Sequence, residues 1–264
     1  MTSTAETGRA RASFVTDALS LTGRHVRLMS RRPSSMISAL VLPLVFAGLF
    51  LAVLGRPMER TGVDYVQYLV PAVVIQAMFF TAISASIWAA EDASGGMIDR
   101  LRSMPISRMS PVFGLLGGEL TRALASIAVL IGAGYVVGFR FERGPLWAAV
   151  FVLVALGWAA AGCLAYLVLG FAIAKVETVQ IVGGLIYYPL LLVSNLFVPA
   201  RAFPEWLRPI VEHQPFSRIA DALRAVSTDA ATDPAQTTVV AVGWTLAVIA
   251  LFAVLAPRAF GRTP

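Results

Sequence analysis

The segment EDASGGMIDRLRSMPISR, Glu91–Arg108, lies between two stretches that are each apolar enough to cross a lipid bilayer. It contains three acidic residues, three arginines and two adjacent glycines. Its apolar residues nevertheless recur at helical spacing, at Met97, Ile98, Leu101 and Met104. Two glycines allow a sharp break before such a helix, and Pro105 ends it. The pattern predicts a short two-faced helix that docks on a soluble partner; a plain connecting loop is the alternative.

The rest of the chain has the composition of a membrane protein. Of its 264 residues, 58% are hydrophobic and 14% are charged, whereas a soluble domain has about 25% charged residues. The mean hydropathy is +0.76. The net charge of +6 comes almost entirely from arginines beside apolar segments, which is typical of membrane-flanking charge rather than of nucleic-acid binding. The composition predicts a multi-pass membrane protein with no nucleic-acid partner.

Six runs are long and apolar enough to span a bilayer: Met36–Leu54, Tyr65–Ala90, Val112–Gly138, Leu146–Ala174, Val179–Pro199 and Thr237–Ala256. An even number of spans puts both termini on one side. Ten basic residues flank the membrane on that side and eight on the other, which favours cytoplasmic termini. The predicted regions are an N-terminal segment 1–33, a six-helix domain 34–257 and a cytoplasmic tail 258–264.

The segment before the first span has two faces. At helical spacing, one face carries Phe14, Ala18, Leu21, His25, Leu28 and Met29, and arginines lie on the other. We expect this helix to lie in the membrane interface with its arginines near anionic headgroups. The alternative is a solvated helix packed on a soluble partner.

The sequence lacks the chemistry of an energy-converting enzyme. A phosphate-binding loop needs glycines followed by Gly-Lys-Ser/Thr, and the single lysine, Lys175, lies in no such motif. Two histidines and one cysteine are too few to suggest a transition-metal site. Glu119 and Arg122, three residues apart in the third span, are predicted to form an internal ion pair, with a proton relay as the alternative. A transport function would therefore take its energy from another chain.

The fifth span has a polar face within about 120° of arc, formed by Gln180, Gly184, Tyr187, Tyr188, Ser194 and Asn195. Polar residues within a span face protein or a water-filled path, so we expect this face to line a substrate path; helix packing is the alternative. From the second span, Gln76, Phe79 and Phe80 are added to the path. In the long loop that follows, two short amphipathic helices broken at Pro209 and Pro215 are predicted to gate or cap the exit.

Four stretches, in this order, resemble one family. They are SRRPSSMISALVLPLVF (30–46), the segment 91–108, VVGFRF (136–141) and NLFVPARAFPEWLRPIVEHQPFSRIADALR (195–224). Together they resemble the permease subunits of ABC-2-type exporters, particularly those of the daunorubicin-resistance type. One departure is Gly-Gly-Met at 95–97, where many members carry Gly-Thr followed by an acidic residue.

The resemblance implies an all-α polytopic fold. Its parts would be six transmembrane helices, an N-terminal interfacial helix, a cytoplasmic coupling helix between spans 2 and 3, and short external re-entrant helices between spans 5 and 6. The residues implied in coupling to an ATPase are Glu91, Asp99, Arg100, Leu101, Arg102, Pro105 and Arg108.

The resemblance also implies partners. The chain would work in the bacterial plasma membrane, in contact with lipid, with two ABC ATP-binding subunits and a second permease, either itself or a paralogue. It would export a hydrophobic or amphipathic molecule such as an antibiotic or an envelope lipid. ATP and Mg²⁺ would bind to the partner ATPase, so this chain is expected to have no cofactor, no metal and no catalytic residue.

Two other classes of function stay open at the level of sequence. One is an ATP-independent secondary transporter or channel, and the other is a membrane-embedded enzyme or assembly factor. Co-purification with an ATP-binding subunit would distinguish an ABC permease from both.

Overall fold

The structure, a computed structural model, describes residues 3–31, 33–96, 110–229 and 233–261. Every regular element in these ranges is a helix, which confirms the all-α prediction. Besides one 3₁₀ turn (Ala200–Ala202), the helices are α1 (Ser3–Ser30), α2 (Pro33–Glu59), α3 (Tyr65–Ser94), α4 (Ser110–Val137), α5 (Pro145–Ile173), α6 (Val176–Leu192), α7 (Arg208–His213), α8 (Pro215–Ser227) and α9 (Pro234–Gly261).

Five of these helices are long and apolar enough to cross a membrane. The candidate spans are Leu40–Glu59, Tyr65–Ser94, Ser110–Val137, Pro145–Ile173 and Pro234–Ala256, so the multi-pass prediction is confirmed. α6 is apolar but has 17 residues. The predicted fifth run, Val179–Pro199, is wrong in its bounds, because the helix starts at Val176 and stops at Leu192.

α3 is the centre of the bundle. In its apolar window 78% of residues are buried, against 11% in α2. It packs against α2, α4, α5, α6 and α8. Small residues allow the closest approach, as is common between membrane helices. At Gly170 of α5, an added Cβ would overlap the carbonyl oxygen of Ser86 and lie 2.8 Å from the Cβ of Ala89.

Local sequence explains where several helices begin and end. The Asp64 side chain accepts hydrogen bonds from the amides of Val66 and Gln67 and caps the start of α3. Gly144, at φ +85, precedes Pro145 in the first turn of α5. At the other end of α5, Ala174 adopts a left-handed conformation and turns the chain into α6.

The two ends of the bundle differ, and we name them by the helix that covers each. At the α1 end, α3 ends, α4 begins, and α1 packs along α4. At the α8 end, α8 packs on α3, α5 and α9. The predicted break at Pro209 is wrong, because that residue lies in the first turn of α7. The break at Pro215 is confirmed, since this proline begins α8.

Candidate functional site

Four aromatic side chains meet inside the bundle and form what we call the aromatic layer: Phe79, Tyr166, Tyr187 and Phe216. Phe79 of α3 is its hub. Its ring centroid lies 4.4 Å from that of Tyr187 in a stacked pair, 5.2 Å from Tyr166 edge-on, and 5.5 Å from Phe216. Such pairs contribute about 0.5–1.5 kcal/mol each beyond burial. The layer therefore joins α3, α5, α6 and α8 through one ring.

An apolar cavity of about 340 Å³ lies beside the aromatic layer, between α3, α5, α6, α8 and α9. Phe79, Tyr166 and Phe216 form part of its wall, together with Trp158 and aliphatic side chains. Its lining, as described, contains no charged side chain. Pockets for small molecules start at about 300 Å³ and are mostly apolar. The cavity can hold an uncharged hydrophobic body of small-drug size.

Two buried polar side chains next to the layer have unmet hydrogen-bonding capacity. Gln76 is fully buried and Tyr187 is 2% exposed. The Tyr187 hydroxyl lies near the Gln76 carboxamide, but within the described part of the chain neither group has a hydrogen-bond partner of good geometry. In contrast, the Tyr166 hydroxyl donates to the carbonyl of Gly183 at 3.0 Å. A buried polar group without a partner costs about 1–3 kcal/mol, so this pair needs an explanation beyond packing.

The structure brings together part of the predicted path and separates the rest. The ring centroid of Phe80 lies 5.5 Å from that of Tyr187, so Phe80 borders the layer, as Gln76 does, and Phe79 is part of it. Gln180 and Tyr188 instead face outward, with Tyr188 57% exposed at the surface of the single chain, and Gly184 is partly exposed.

Burial thus divides the predicted polar face of α6 within the single chain, and its role in a substrate path stays a prediction. The buried edge of this helix runs through Val179, Gly183 and Tyr187, which are four residues apart and so lie one above the other. Gly183 approaches the Tyr166 ring so closely that an added Cβ would lie 3.1 Å from it. This edge divides the predicted face, with Tyr187 inside and Tyr188 outside.

Ser194 and Asn195 also lie off the predicted face, because α6 ends before them. The Asn195 amide nitrogen donates to Ser217 Oγ at 3.1 Å, and its side-chain nitrogen donates to Asp221 Oδ1 at 2.8 Å. Ser194 Oγ donates to the carbonyl of Leu191 at 2.6 Å. The two bonds of Asn195 hold the turn after α6 against α8, and the bond of Ser194 holds it to the end of α6. Both side chains therefore have structural partners.

Arg224 of α8 is the largest contributor to that attachment. Its guanidinium donates to the carbonyls of Asn195 (3.1 Å) and Leu196 (2.7 Å) and lies 3.5 Å above the Tyr68 ring. Asp221 lies 3.5 Å from the same guanidinium. Burial raises the pKa of Asp221 above its ordinary value, and the nearby Arg224 charge partly opposes that rise. We call Arg224, Asp221, Asn195 and Tyr68 the Arg224 cluster.

A second buried polar group lies at the α1 end. Glu119 and Arg122 form an ion pair of 2.6 Å with both side chains buried, which confirms the predicted pair. Arg122 also donates to Ser84 Oγ at 2.8 Å and to the carbonyl of Thr81 at 3.1 Å. His25 Nε2 lies 3.2 Å from the other carboxylate oxygen. We call Glu119, Arg122 and His25 the polar joint, and this joint links α1, α3 and α4.

Glycines let α1 approach α4 closely beside this joint. An added Cβ would lie 2.5 Å from Leu21 Cβ at Gly114 and 2.5 Å from Thr22 Oγ1 at Gly117, and would overlap the His25 ring at Gly118. On the face of α1 predicted to be apolar, His25 and Met29 are buried toward the bundle, whereas Leu28 is exposed. Over these turns α1 packs on this chain's own α4, an arrangement that neither sequence-based alternative included.

The comparison with known protein families identifies the family of this chain. Residues 16–227, about four-fifths of the chain, match the family described as the ABC-2 type transporter. This chain belongs to the ABC-2 type transporter family. The resemblance seen in the sequence is thereby confirmed.

The ABC-2 relatives carry specific names. The daunorubicin resistance ABC transporter permease protein DrrB1 of Streptomyces coeruleorubidus is 29% identical over 217 residues, covering 81% of this chain and 76% of that protein. The probable doxorubicin resistance ABC transporter permease protein DrrC of Mycobacterium tuberculosis is 29% identical over 217 residues, covering 80% and 76%. ABC transporter G family member 20 of Dictyostelium discoideum is 29% identical over 176 residues, covering 66% and 23%.

These matches fix the general function. The chain is the membrane permease subunit of an ABC transporter, and it is not itself an enzyme. ATP hydrolysis belongs to a separate ABC ATP-binding subunit, which is the partner that the family implies.

The residues predicted to couple this ABC-2 permease to its ATPase lie mostly outside the described residues. Glu91 is exposed in the last turns of α3. The others, Asp99, Arg100, Leu101, Arg102, Pro105 and Arg108, fall in 97–109, so their role stays a prediction. Trp88, shortly before Glu91, packs edge-on against His25 at 5.0 Å. The polar joint is therefore close to the end of α3 that leads into this segment.

Sequence reasoning missed the contribution of α5 to the site, because Trp158 and Tyr166 lie in a uniformly apolar helix with no local polar signal. It predicted a short amphipathic helix after Pro215 that gates or caps the exit, but not that Phe216 of this helix packs in the aromatic layer. The 94-residue separation of His25 from Glu119 likewise left no local pattern.

Proposed function

We propose that this chain is one of two permeases in an exporter driven by two ABC ATP-binding subunits, and that its cargo is hydrophobic or amphipathic. The second permease is another copy or a paralogue. The relatives named for daunorubicin and doxorubicin resistance support a drug cargo, with an envelope lipid as the other candidate. The observation that carries the proposal is the apolar cavity beside the aromatic layer in an ABC-2 permease.

In the proposed layout, α6 is the fifth of six spans in chain order, and both termini are cytoplasmic in a bacterial plasma membrane. The 17 residues of α6 give a length of about 25 Å, close to the hydrocarbon thickness of about 30 Å. Backbone groups at membrane depth need partners, and Arg224 supplies them for the carbonyls of Asn195 and Leu196 just beyond α6. The α1 end is then cytoplasmic, with α1 along the inner interface and 258–264 as a tail.

In the proposed mechanism, the ATPase moves the segment from Asp99 to Arg108, and this motion passes into α3 and α4. The polar joint supports this role because it ties both helices, and α1, together near that segment. ATP and Mg²⁺ bind to the partner, not to this chain. Leu101→Glu should leave membrane insertion and ATP hydrolysis intact but abolish export, whereas Leu101→Met should export normally. Normal export by Leu101→Glu would refute the coupling role.

The proposed cargo path passes the aromatic layer and uses Gln76, Phe79, Phe80 and Tyr187. Gln76 and Tyr187 support this assignment because their polar groups lie near each other in an apolar interior and, among the described residues, neither has a hydrogen-bond partner of good geometry. A buried polar group without a hydrogen-bond partner lowers the stability of the fold. Such a loss is expected at a position where the protein needs the polar group to bind a ligand. The outward face with Gln180, Gly184 and Tyr188 is the part of α6 that would meet the second permease or lipid. Ser194 and Asn195 would fix the exit side of the path.

The test compares two glutamines on α3. Gln76→Leu should weaken binding of daunorubicin about ten-fold, equal to about 1.4 kcal/mol for a lost hydrogen bond, and should not lower thermal stability. Gln67 is also buried, but its side chain donates to the Arg140 carbonyl at 3.0 Å. Gln67→Leu should therefore lower stability and leave binding unchanged. Tyr187→Phe should behave like Gln76→Leu; unchanged binding in both variants would refute the path.

An ATP-independent transporter or channel is the alternative mechanism. The buried acid in α4 is paired with Arg122 at 2.6 Å, which does not favour a proton relay. Reconstitution with and without the ATP-binding subunit separates the two mechanisms.

A further inference from the structure

An apolar crevice of about 170 Å³ runs between α2, α3 and α4, at the end of the bundle where α2 ends and α3 begins. Its walls come from some of the side chains within 44–51 and 66–73, and on α4 from Leu130, Ala133, Gly134 and Val137. At 1.5 Å per residue, each wall is about 10 Å long. This is about two-thirds of the hydrocarbon depth of one leaflet, which is about 15 Å. The crevice therefore matches the upper part of a lipid acyl chain in length and polarity.

A polar pocket of about 430 Å³ adjoins the crevice. Val66 and Val137 line both spaces, so the pocket and the crevice lie next to each other. The pocket also contains Glu59, at the end of α2, and Asp64, at the start of α3. No basic side chain lines either space in the described ranges. The site is apolar at membrane depth and acidic at the membrane surface.

Arg56, one turn before Glu59 in α2, does not line the pocket, and neither does Arg140. The Arg140 guanidinium donates to the carbonyls of Tyr135 (2.7 Å) and Phe139 (2.6 Å) and lies over the Tyr135 ring. Arg60 follows Glu59 in the chain but is not part of the pocket wall. Asp64 caps α3 through Oδ1, and a carboxylate with two oxygens can accept further hydrogen bonds.

We propose that this site binds one phospholipid with an ethanolamine headgroup. Its acyl chain fills the crevice, and its ammonium group donates hydrogen bonds to Glu59 and Asp64. An ammonium supplies three donors, whereas a choline headgroup has none, and an anionic glycerol headgroup is repelled by the two carboxylates. The lipid supplies contacts along α2, the span that the rest of the chain covers least. The proposal is independent of the cargo path.

The first test fills the crevice without disturbing the helices. Gly48 lines the crevice, and an added Cβ there meets no atom within 4 Å. Gly48→Leu should therefore occupy the space of the acyl chain and reduce binding of palmitoyl-oleoyl phosphatidylethanolamine at least five-fold in native mass spectrometry. Gly132 on α4 also has open space around it but is not in the crevice wall. Gly132→Leu should bind this lipid as the wild type does.

The second test concerns the headgroup. Wild type should bind the ethanolamine lipid about two- to five-fold more tightly than the phosphatidylcholine or phosphatidylglycerol of the same chains, as exposed charge pairs allow. Glu59→Gln and Asp64→Asn should each reduce this preference. Asparagine caps helices as well as aspartate does, so Asp64→Asn should keep α3 intact, as measured by thermal stability.

Three results would overturn the proposal. They are equal binding of the three lipids by wild type, unchanged binding in Gly48→Leu, and displacement of the lipid by daunorubicin at one molecule per site. The last result would assign the crevice to cargo. A failure of ATP-driven export would leave all three measurements unaffected, so the two proposals fail separately.

Discussion

Replacing Glu119 by leucine should destabilise the protein more than replacing Glu119 and Arg122 together. The single substitution leaves the Arg122 guanidinium, 2% exposed, without the carboxylate that lies 2.6 Å away. A buried charge that loses its partner costs about 3–5 kcal/mol. The double substitution Glu119→Leu with Arg122→Met removes both charges. Replacing a buried ion pair with apolar side chains is often neutral or stabilising, so the double variant should lie within about 1–2 kcal/mol of wild type.

The assay is reversible unfolding in mixed micelles, followed by tryptophan fluorescence. Trp88, one of the five tryptophans of the chain, packs on His25, so part of the signal comes from the joint. The control is His25→Gln, which keeps a hydrogen-bonding group beside Glu119 and should cost less than about 1.5 kcal/mol. The reasoning is refuted if Glu119→Leu lowers the free energy of unfolding by less than about 1 kcal/mol. It is also refuted if the loss in the double variant equals the sum of the losses in Glu119→Leu and Arg122→Met, each measured alone.

Two further predictions concern helix packing and pH. Gly170→Ala should lower thermal stability because the added Cβ overlaps the backbone of Ser86, whereas Gly132→Ala, with open space around it, should not; equal melting temperatures would contradict the packing. Burial raises the pKa of Asp221, so its carboxyl group binds a proton more tightly in the folded state than in the unfolded state. The free energy of unfolding should therefore fall as pH rises from the ordinary pKa of 3.8 through the raised value. Asp221→Asn should flatten that part of the pH profile in unfolding measurements, and an unchanged slope would contradict it.

Features that depend on local periodicity were predictable from the sequence. Long apolar runs identified five candidate spans, because each needs about 20 apolar residues whatever its neighbours are. The pair Glu119 and Arg122 followed from its spacing of three residues on one helix. The family could be recognised because its motifs are short and occur in a fixed order.

Features that depend on contacts between distant segments were not predictable. The turn that follows the end of α6 is stabilised by Arg224, which lies about 30 residues further along the chain and donates hydrogen bonds to two segments, α3 and that turn. A helical wheel gives the polar side of α6 but does not show which part of it α3 and α5 cover. It therefore could not show that Tyr187 is buried and Tyr188 is exposed. The cavity needs side chains from five helices, and no single stretch encodes it.

The central claim is that a separate nucleotide-driven subunit powers transport through this chain. The most direct measurement is daunorubicin transport in liposomes, with this chain alone and with its co-purified ATP-binding subunit, each with and without ATP and Mg²⁺. We predict transport with the complete complex and nucleotide, and none in the other three conditions. Nucleotide-free transport by the chain alone would contradict the claim.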